Sequence, residues 1–204
     1  MIDLSIIRFI AITDNVRDGQ TGLIERCAAV ARGGATCIQL RLKDVTARDL
    51  VALAHELVKS VGVPVIVNDR ADVAIAAGAA GVHLGADDMP VGAVRKFAPE
   101  GFIIGKSVGN DEESHTAHGA DYIGVGPVFA TASKKDAGSA IGIPEFTRLA
   151  VATGLPAVGI GGISAANARA VIDAGGAGVA AIASVMGARD PHAAAVEMAI
   201  AIGR

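Results

Sequence analysis

Polar side chains interrupt one hydrophobic segment of the chain, residues 36–43, at every second position. These side chains are the amide of Gln39 and the cations of Arg41 and Lys43, with aliphatic residues between them. Because the side chains of a β-strand alternate between its two faces, all three are expected on the same face. Cations that leave water need a compensating anion. The segment therefore predicts a strand that binds an anionic ligand, and a hairpin strand with one solvated face is the alternative.

Two aspartates, Asp69 and Asp88, follow the next two hydrophobic segments. Carboxylates at the ends of neighbouring strands, together with water and phosphate oxygens, form a ligand set that magnesium (Mg²⁺) prefers. The cations Arg41, Lys43 and Lys134 are expected around the same volume, which favours a highly charged group such as pyrophosphate. In the alternative interpretation, each aspartate only caps the segment that follows it.

A second anion site is predicted in the segment Gly161-Gly162-Ile163-Ser164. The segment opens a predicted helix, and its backbone N–H groups, with those that follow the last strand, can hold a phosphate without any cation. Glycine is expected there because a side chain would keep the anion away from the amides. A tight turn between a strand and a helix is the alternative explanation.

The expected position of each histidine, inside the barrel or at the surface, follows from the strand or helix in which the residue falls. His83 is expected to point inward from a strand, either as a hydrogen-bonded support of the site or as a direct participant. The others fall in helical segments and are expected at the surface: His55, His115, His118 and His192. The sequence shows no Ser/His/Asp or Cys/His arrangement and no zinc-like spacing.

Short runs rich in Val and Ile alternate with segments of helical spacing eight times along the chain. They predict strands over 8–13, 36–43, 64–67, 81–84, 103–106, 122–125, 157–160 and 178–182. Helices are predicted over 22–32, 46–60, 71–77, from 91, over 111–118, 144–152, 164–174 with Ser164 as the N-cap, and from 191 almost to the end.

Eight strand–helix units with short connections predict an α/β fold, a single (β/α)8 TIM barrel that forms one catalytic domain over residues 1–204. In such a barrel, the carboxyl ends of the strands and the loops that follow them carry the working residues. An open doubly wound sheet is the alternative, although the glycine fingerprint of dinucleotide binding does not follow the first strand.

Composition narrows the classes of partner. The net charge is −3 and runs of Lys or Arg are absent, which argues against nucleic acid and membrane surfaces as partners. No apolar run has transmembrane length and residues 1–20 lack a signal-peptide pattern, so a cytoplasmic protein is expected. Cys27 and Cys37 are expected to be reduced and buried. The sequence leaves open whether the protein forms a homo-oligomer.

Five motifs occur in order over nearly the whole chain. They are Gln39-x-Arg41-x-Lys43, Val67-Asn68-Asp69-Arg70, the segment 81–90 with His83 and Asp88, the segment 119–136 with Thr131, Ser133 and Lys134, and Gly159-Ile160-Gly161-Gly162-Ile163. As a set, these motifs resemble the thiamin phosphate synthase family. Each motif alone is weak, whereas the ordered set is specific.

The resemblance implies a reaction and a metal. The family joins hydroxymethylpyrimidine pyrophosphate to the phosphorylated hydroxyethylthiazole, releasing pyrophosphate and giving thiamin monophosphate, with magnesium required. The chain is therefore expected to be a transferase with two small phosphorylated substrates. The implied mechanism is a dissociative displacement, in which pyrophosphate leaves first and the thiazole nitrogen captures a pyrimidinylmethyl cation.

The resemblance also implies residue roles, motif by motif. On the pyrimidine side they are Gln39 for the pyrimidine, Arg41, Lys43, Asn68 and Lys134 for the pyrophosphate, Ser107 near the reacting centre, and Asp69 and Asp88 for magnesium. On the thiazole side they are Thr131, Ser133, Gly162 and the backbone of Ile182 and Ala183. The implied catalytic residues are Ser107, Lys134 and Arg41.

The sequence departs from the family pattern at Ala86, Gly109, Ser133 and Ala183, where the family usually has glutamine, histidine, threonine and serine. Because Ala183 removes one side-chain donor but keeps its amide, weaker binding of the thiazole phosphate is expected. Two alternative functions are a thiazole tautomerase or another phosphate-binding barrel isomerase, and a non-catalytic paralogue that binds the thiazole phosphate. Pro127 argues against the tautomerase, in which a histidine stands at this position.

Overall fold

Eight parallel strands follow one another around a closed barrel in the order in which they occur in the chain. The computed structural model describes residues 4–13, 19–131 and 138–204. The strands are β1 (Phe9–Ile12), β2 (Cys37–Leu40), β3 (Val65–Asn68), β4 (Gly81–Leu84), β5 (Ile103–Val108), β6 (Tyr122–Val125), β7 (Ala157–Ile160) and β8 (Gly178–Ala181). The predicted (β/α)8 TIM barrel is confirmed. The hairpin alternative is wrong, because β2 pairs in parallel with both β1 and β3. The open doubly wound sheet is also wrong, because β8 pairs with β1 and closes the barrel.

Helices connect the strands. They are α1 (Gly19–Arg32), α2 (Ala47–Ser60), α3 (Ala71–Ala76), α4 (Val91–Arg95), α5 (Asp111–Thr116), α6 (Gly142–Thr153), α7 (Ala168–Asp173), α8 (Ala183–Met186) and α9 (Pro191–Ala201). A short 3₁₀ helix, Leu4–Ile7, precedes β1. Both α8 and α9 follow β8.

Local sequence signals fix several helix ends. Thr46 is the N-cap of α2: its hydroxyl accepts from the Asp49 N–H at 3.2 Å and donates to the Asp49 carboxylate at 2.7 Å. A similar cap begins α9, where the Asp190 carboxylate accepts from the Ala193 N–H at 3.0 Å. Gly154 ends α6 in the left-handed region, with φ +67°. These ends are therefore readable in the sequence.

Two hydrophobic cores lie on opposite sides of the strands. The inner core fills the barrel and its amino-terminal end, and contains Ile6, Ile7, Ile10, Ile12, Cys37, Ile66, Ile103, Tyr122, Val158, Ala180 and Ile182. The outer core packs the other face of each strand against the helices, as Ile38, Leu40, Val65 and Val67 do. Alternation along each strand assigns its residues to one core or the other.

The same alternation places polar residues on the inner face at the carboxyl end of the barrel. Each stands an even number of residues from another inward-facing position of its own strand. They are Gln39 on β2, Asn68 on β3, His83 on β4 and Ser107 on β5. Four neighbouring strands therefore contribute to one polar layer above the inner core.

One helix start is predicted wrongly, and one helix is not predicted. Ser164 does not cap a helix, because residues 164–167 form a turn and α7 begins only at Ala168. The Ser164 N–H donates to the side-chain oxygen of Asn167 at 2.9 Å, so the asparagine stabilises a turn where a helix was expected. The sequence also does not predict α8, since its four residues are too few to show a helical period.

Expectations about individual cysteines and histidines are confirmed. Cys27 and Cys37 are buried and unpaired. The four histidines assigned to the surface are exposed: His55, His115, His118 and His192. Within the described ranges, none of the helices has the length and apolar character needed to cross a lipid bilayer.

Candidate active site

Gln39 presents its amide at the mouth of the barrel. The residue is 3% exposed, and the described part of the chain gives its amide no hydrogen-bond partner. No fully buried side-chain nitrogen or oxygen of the described residues lacks a partner. The amide tip must therefore reach accessible space, where it is available to a ligand inside the barrel.

Thr13, directly after β1, holds the backbone of Arg41. Its hydroxyl donates to the Arg41 carbonyl at 3.0 Å and accepts from the Arg41 N–H at 2.8 Å. Thr13 is fully buried, and its own N–H donates to the Gln39 carbonyl at 2.9 Å. The threonine thus continues the pairing of β1 with β2 beyond the last residue of β2. Arg41 is left half-buried at the barrel mouth.

Lys43 does not share the inward face with Gln39. Strand β2 ends at Leu40, so strand alternation does not extend to residue 43, and Lys43 is exposed. The predicted inward orientation is confirmed for Gln39 and wrong for Lys43. A contact between Lys43 and a bound ligand requires the long side chain to reach back from the loop.

Asp69 follows β3 in a left-handed backbone conformation, with φ +65°. Asparagine and aspartate adopt this conformation far more often than most residues that carry a Cβ. The Asp69 N–H donates to the His83 carbonyl at 2.8 Å, which ties the turn to β4. The helix-cap alternative is wrong, because the N-cap of α3 is Arg70. Asp69 is exposed at the carboxyl end of the barrel.

Asp88 stabilises the loop after β4. Its carboxylate accepts from the Gly85 N–H at 2.6 Å, so it folds back on the strand end and does not cap α4, whose N-cap is Pro90. The carbonyl of the same glycine accepts from the ammonium group of Lys106 on β5. Lys106 is 3% exposed. A buried cation and a carboxylate therefore hold Gly85 from its two sides.

Asp69 and Asp88 fit the ligand chemistry of a magnesium ion. They follow β3 and β4, which are neighbours in the barrel, at the same end. Magnesium binds one or two carboxylates and completes its shell with water and substrate phosphate oxygens. Residues 4–13, 19–131 and 138–204 contain no group of three or more His, Cys, Asp or Glu side chains arranged around a metal. The two aspartates match a metal that is shared with a substrate.

Ser107 lies at the end of a hydrogen-bonded chain of side chains. Its hydroxyl oxygen is 3.0 Å from His83 Nε2, and His83 Nδ1 is 3.0 Å from the Tyr122 hydroxyl oxygen. The expected inward position of His83 is confirmed, and the histidine contacts a predicted site residue. Burial holds the pKa of the Tyr122 phenol well above its usual range, so the phenol remains protonated.

The glycine pair after β7 packs against the segment that follows β6. Gly161 and Gly162 have φ +89° and +65°. A Cβ on Gly161 would lie 2.5 Å from the Pro127 Cα, and one on Gly162 would lie 2.5 Å from the Ala130 carbonyl oxygen. Backbone packing alone therefore requires glycine at both positions, as the tight-turn alternative states.

The loops after β7 and β8 are joined at the carboxyl end of the barrel. The Ser184 hydroxyl on α8 donates to the Ile163 carbonyl at 2.7 Å. This contact brings the Gly162 segment beside the start of α8, where Ile182 is buried and Ala183 is exposed. The three residues predicted to bind phosphate through their backbone thus lie on adjoining loops.

The remaining predicted residues belong to the segment between β6 and α6. Thr131 is half-buried at the start of this segment. Ser133 and Lys134 lie outside the described residues, so their roles stay predictions.

Three residues that support the site received no role from the sequence: Thr13, Lys106 and Tyr122. The sequence does contain a signal for Lys106: a lysine inside an apolar strand must find a polar partner when it is buried. The other two have partners 28 and 39 positions away in the chain. Strand alternation predicts on which face such residues lie, but not which residue they contact.

A family model described as thiamine monophosphate synthase matches residues 9–185. Proteins named thiamine-phosphate synthase are similar over most of the chain. The protein of Roseiflexus castenholzii is 49% identical over 188 residues, which cover 90% of this chain and 82% of that protein. The protein of Methanoculleus marisnigri is 51% identical over 170 residues, which cover 81% of each chain.

Solved structures show the same barrel. Thiamine phosphate pyrophosphorylase from Pyrococcus furiosus superposes with a TM-score of 0.83 and 35% identity, covering 97% of this chain and 96% of that one. A 3-hexulose-6-phosphate synthase superposes with a TM-score of 0.75 at 21% identity, covering 96% of this chain and 100% of that one. This second similarity shows the fold alone.

Proposed function

Because this chain belongs to the thiamine monophosphate synthase family, we propose that it condenses hydroxymethylpyrimidine pyrophosphate with the phosphorylated hydroxyethylthiazole. The products are thiamin monophosphate and pyrophosphate, which makes the protein a transferase. One observation carries the location of the site: four neighbouring strands present Gln39, Asn68, His83 and Ser107 on the inner face at one end of the barrel.

The Gln39 amide is the proposed contact of the pyrimidine ring. An amide offers a donor and an acceptor side by side, which suits the nitrogen-rich edge of a pyrimidine. The amide is available, since the described residues give it no hydrogen-bond partner. It also lies inside the barrel, so a bound pyrimidine is taken out of bulk water.

The pyrophosphate group is proposed to lie among Arg41, Asn68, Lys43 and Lys134. A guanidinium can donate two parallel hydrogen bonds to a phosphate, and Thr13 fixes the backbone from which Arg41 extends. Asp69 and Asp88 would hold the magnesium ion, which, when bound, neutralises part of the charge on the leaving pyrophosphate.

In the proposed step, the bond between the pyrimidine methylene carbon and the pyrophosphate oxygen breaks first. The electron pair leaves with pyrophosphate, and the lone pair of the thiazole nitrogen then forms the new C–N bond. Such a step needs stabilisation of the leaving charge and exclusion of water, and no strong general base. Arg41 and Lys134 supply positive charge, and Ser107 supplies a hydrogen-bond donor to the leaving oxygen.

The thiazole phosphate is proposed to bind the joined loops after β7 and β8. The backbone N–H groups of Gly162, Ile182 and Ala183 are the proposed donors, with the hydroxyls of Thr131 and Ser133 beside them. The Ser184–Ile163 hydrogen bond keeps the two loops together before the ligand arrives. Preorganised amides of this kind bind an anion without the cost of reordering the backbone.

Incubation of the protein with both substrates and magnesium tests the proposal. Chromatography should show equal amounts of thiamin monophosphate and pyrophosphate, and omission of either substrate or chelation of the metal should abolish both. Failure to form either product with all components present contradicts the synthase. Turnover of the thiazole phosphate alone, without magnesium, would instead identify an isomerase, and binding of that compound without turnover would identify a non-catalytic paralogue.

A further inference from the structure

We propose that His83 is a positioning residue of this reaction: it donates from Nε2 to the Ser107 oxygen and thereby leaves the Ser107 proton free to point at the leaving pyrophosphate. The inference rests on the proposed function, which places Ser107 beside that leaving group. His83 itself need not touch either substrate.

The geometry for this role spans three adjacent strands. His83 on β4 lies between Ser107 on β5 and Tyr122 on β6, with both nitrogen-to-oxygen distances 3.0 Å. Both distances are normal for a hydrogen bond to a neutral oxygen. All three side chains lie inside the barrel, on strands whose backbone pairing fixes their spacing.

The direction of the hydrogen bonds follows from Tyr122. Its phenol is fully buried and protonated, and among the described residues His83 Nδ1 is the hydrogen-bond partner that the structure gives its hydroxyl. A buried hydroxyl hydrogen needs an acceptor, so the phenol donates to Nδ1. The ring proton then resides on Nε2, and Nε2 donates to the Ser107 oxygen.

Two glycines make room for this arrangement. A Cβ on Gly105 would lie 2.5 Å from the Tyr122 ring carbon Cε1, and a Cβ on Gly124 would lie 2.9 Å from the His83 ring carbon Cε1. The Tyr122 ring therefore packs directly against the backbone of the preceding strand, β5, and the His83 ring packs against the backbone of β6, two strands further on. Such packing restricts the rings to one orientation, which is what a positioning residue requires.

The consequence for catalysis concerns the rate more than binding. When the Ser107 oxygen already accepts from His83, its own proton has to find a different acceptor, and the proposed function supplies one in the leaving oxygen. That hydrogen bond strengthens as negative charge develops during bond breaking. Loss of His83 should therefore lower kcat and leave KM for the pyrophosphate substrate nearly unchanged.

The first test does not depend on activity. In protein labelled with ¹⁵N-histidine, NMR spectra should show the His83 ring protonated on Nε2, with the signal assigned by its absence in His83→Gln. Ser107→Ala should shift the Nε2 resonance, and Tyr122→Phe should shift the Nδ1 resonance. A ring protonated on Nδ1 in the wild-type protein overturns the proposal.

The second test is kinetic. His83→Leu should lower kcat by roughly 10- to 100-fold, the effect of misplacing a group in the reacting geometry. His83→Gln should recover part of this loss, because its amide nitrogen can reach the position of Nε2. In the Ser107→Ala background, His83→Leu should cause no further loss, since the group that it positions is absent. The exposed His115 on α5 supplies the control variant, His115→Leu, which should keep wild-type kcat.

Two further outcomes keep the test decisive. If His83→Leu does not fold, Tyr122→Phe takes its place, because this variant removes only the hydroxyl that contacts His83 Nδ1. A several-fold loss of kcat that vanishes in the Ser107→Ala background then supports the proposal. Equal losses with and without Ser107 overturn it, because they indicate a general structural effect. Absent turnover in the wild-type protein would contradict the proposed function, whereas an active enzyme insensitive to His83→Leu contradicts this inference alone.

Discussion

Asp69 combines a carboxylate that we assign to magnesium with a backbone conformation, φ +65°, that most residues avoid. We expect Asp69→Ala to abolish turnover with both substrates and magnesium, while circular dichroism shows an intact barrel. Asp69→Asn separates the two properties, because asparagine tolerates a positive φ and lacks the charge. It should be equally inactive and closer to the wild-type protein in unfolding free energy.

The control for this charge loss is Asp72→Asn on α3. Asp72 is exposed, and its carboxylate pairs with Arg70 at 2.6 Å. We expect it to retain full activity, since exposed ion pairs contribute little. Turnover by either Asp69 variant would remove this residue from the metal site.

Arg41 tests how the pyrophosphate is held. Arg41→Ala should chiefly raise KM for the pyrimidine substrate, by about 10- to 100-fold, the equivalent of one or two charge-assisted hydrogen bonds. Steady-state kinetics at saturating thiazole phosphate measure the change. The exposed Arg48 on α2 provides the control, Arg48→Ala, with the same loss of charge outside the site. Unchanged saturation behaviour in Arg41→Ala would refute the assigned role.

At the residue scale, the sequence was informative wherever a side chain lies inside a strand. Gln39 and Ser107 face inward because the period of two continues to their positions. Lys43 stands beyond the end of β2, where no periodic constraint acts, and it is exposed. The contact between Lys106 and Gly85 spans 21 residues of sequence and depends on the loop conformation, so no local pattern could predict it.

At the scale of elements, β5 packs tightly against Tyr122, and disturbing this packing should lower the free energy of unfolding. A Cβ at Gly105 would lie 2.5 Å from the hydroxyl oxygen of Tyr122, which is fully buried and cannot move aside. We expect Gly105→Ala to lower the free energy of unfolding by about 2 to 3 kcal/mol, as overpacking of a filled core does. The midpoint of urea unfolding measures this change.

A glycine in open space provides the matched comparison. Gly92 on α4 has no heavy atom within 4 Å of the position of an added Cβ. Gly92→Ala should raise the free energy of unfolding by about 0.5 to 1 kcal/mol, because alanine favours the helix. A Gly105→Ala protein as stable as wild type would mean that Tyr122 is not confined as described.

Element boundaries followed from the sequence where a single side chain sets them. Thr46 with Asp49 predicts the start of α2 because the two groups satisfy each other within one turn. Ser164 gave the wrong start for α7, because the Asn167 side chain competes for the Ser164 N–H and stabilises a turn. The tight turn at Gly161 reflects contact with Pro127, which lies outside the local segment.

At the scale of the whole molecule, burial controls the reactivity of both cysteines. Desolvation raises the pKa of the Cys27 and Cys37 thiols from the ordinary value of 9.0 to about 12. The nucleophilic thiolate is therefore absent at pH 8 in the folded barrel. A disulfide reagent should label neither cysteine in the native protein and both in denaturant. Rapid labelling of the native protein would contradict the burial.

The same pKa shifts predict how stability depends on pH. Above pH 9, the thiols lose protons only in the unfolded chain, until the folded thiols titrate at about 12. The free energy of unfolding should therefore fall as pH rises from 9 to 12, by about 1.4 kcal/mol per pH unit for each thiol. Urea unfolding across this range measures the slope, which should be shallower in a Cys27→Ala, Cys37→Ala protein.

The order of strands in the barrel was the most predictable property of the chain. Eight short apolar runs separated by helical segments leave few arrangements, because parallel neighbours need a crossover and crossovers have one hand. The short helix Ala183–Met186 shows the limit of this reasoning. It is held by the Ser184–Ile163 hydrogen bond, whose two residues are 21 positions apart in the chain.

The chain of side chains that ends at Ser107 is built entirely on strands, whereas Thr131, Ser133 and Lys134 stand on the segment that connects β6 to α6. The strands are fixed by the barrel, and a connecting segment tolerates insertion and exchange. Selection for a different heterocyclic acceptor can therefore act on Thr131 and Ser133, while Lys134 on the same connection and the strand-borne Ser107 keep their roles in bond cleavage. The range of acceptors can therefore evolve through residues of a loop, while the barrel strands preserve the Ser107 arrangement.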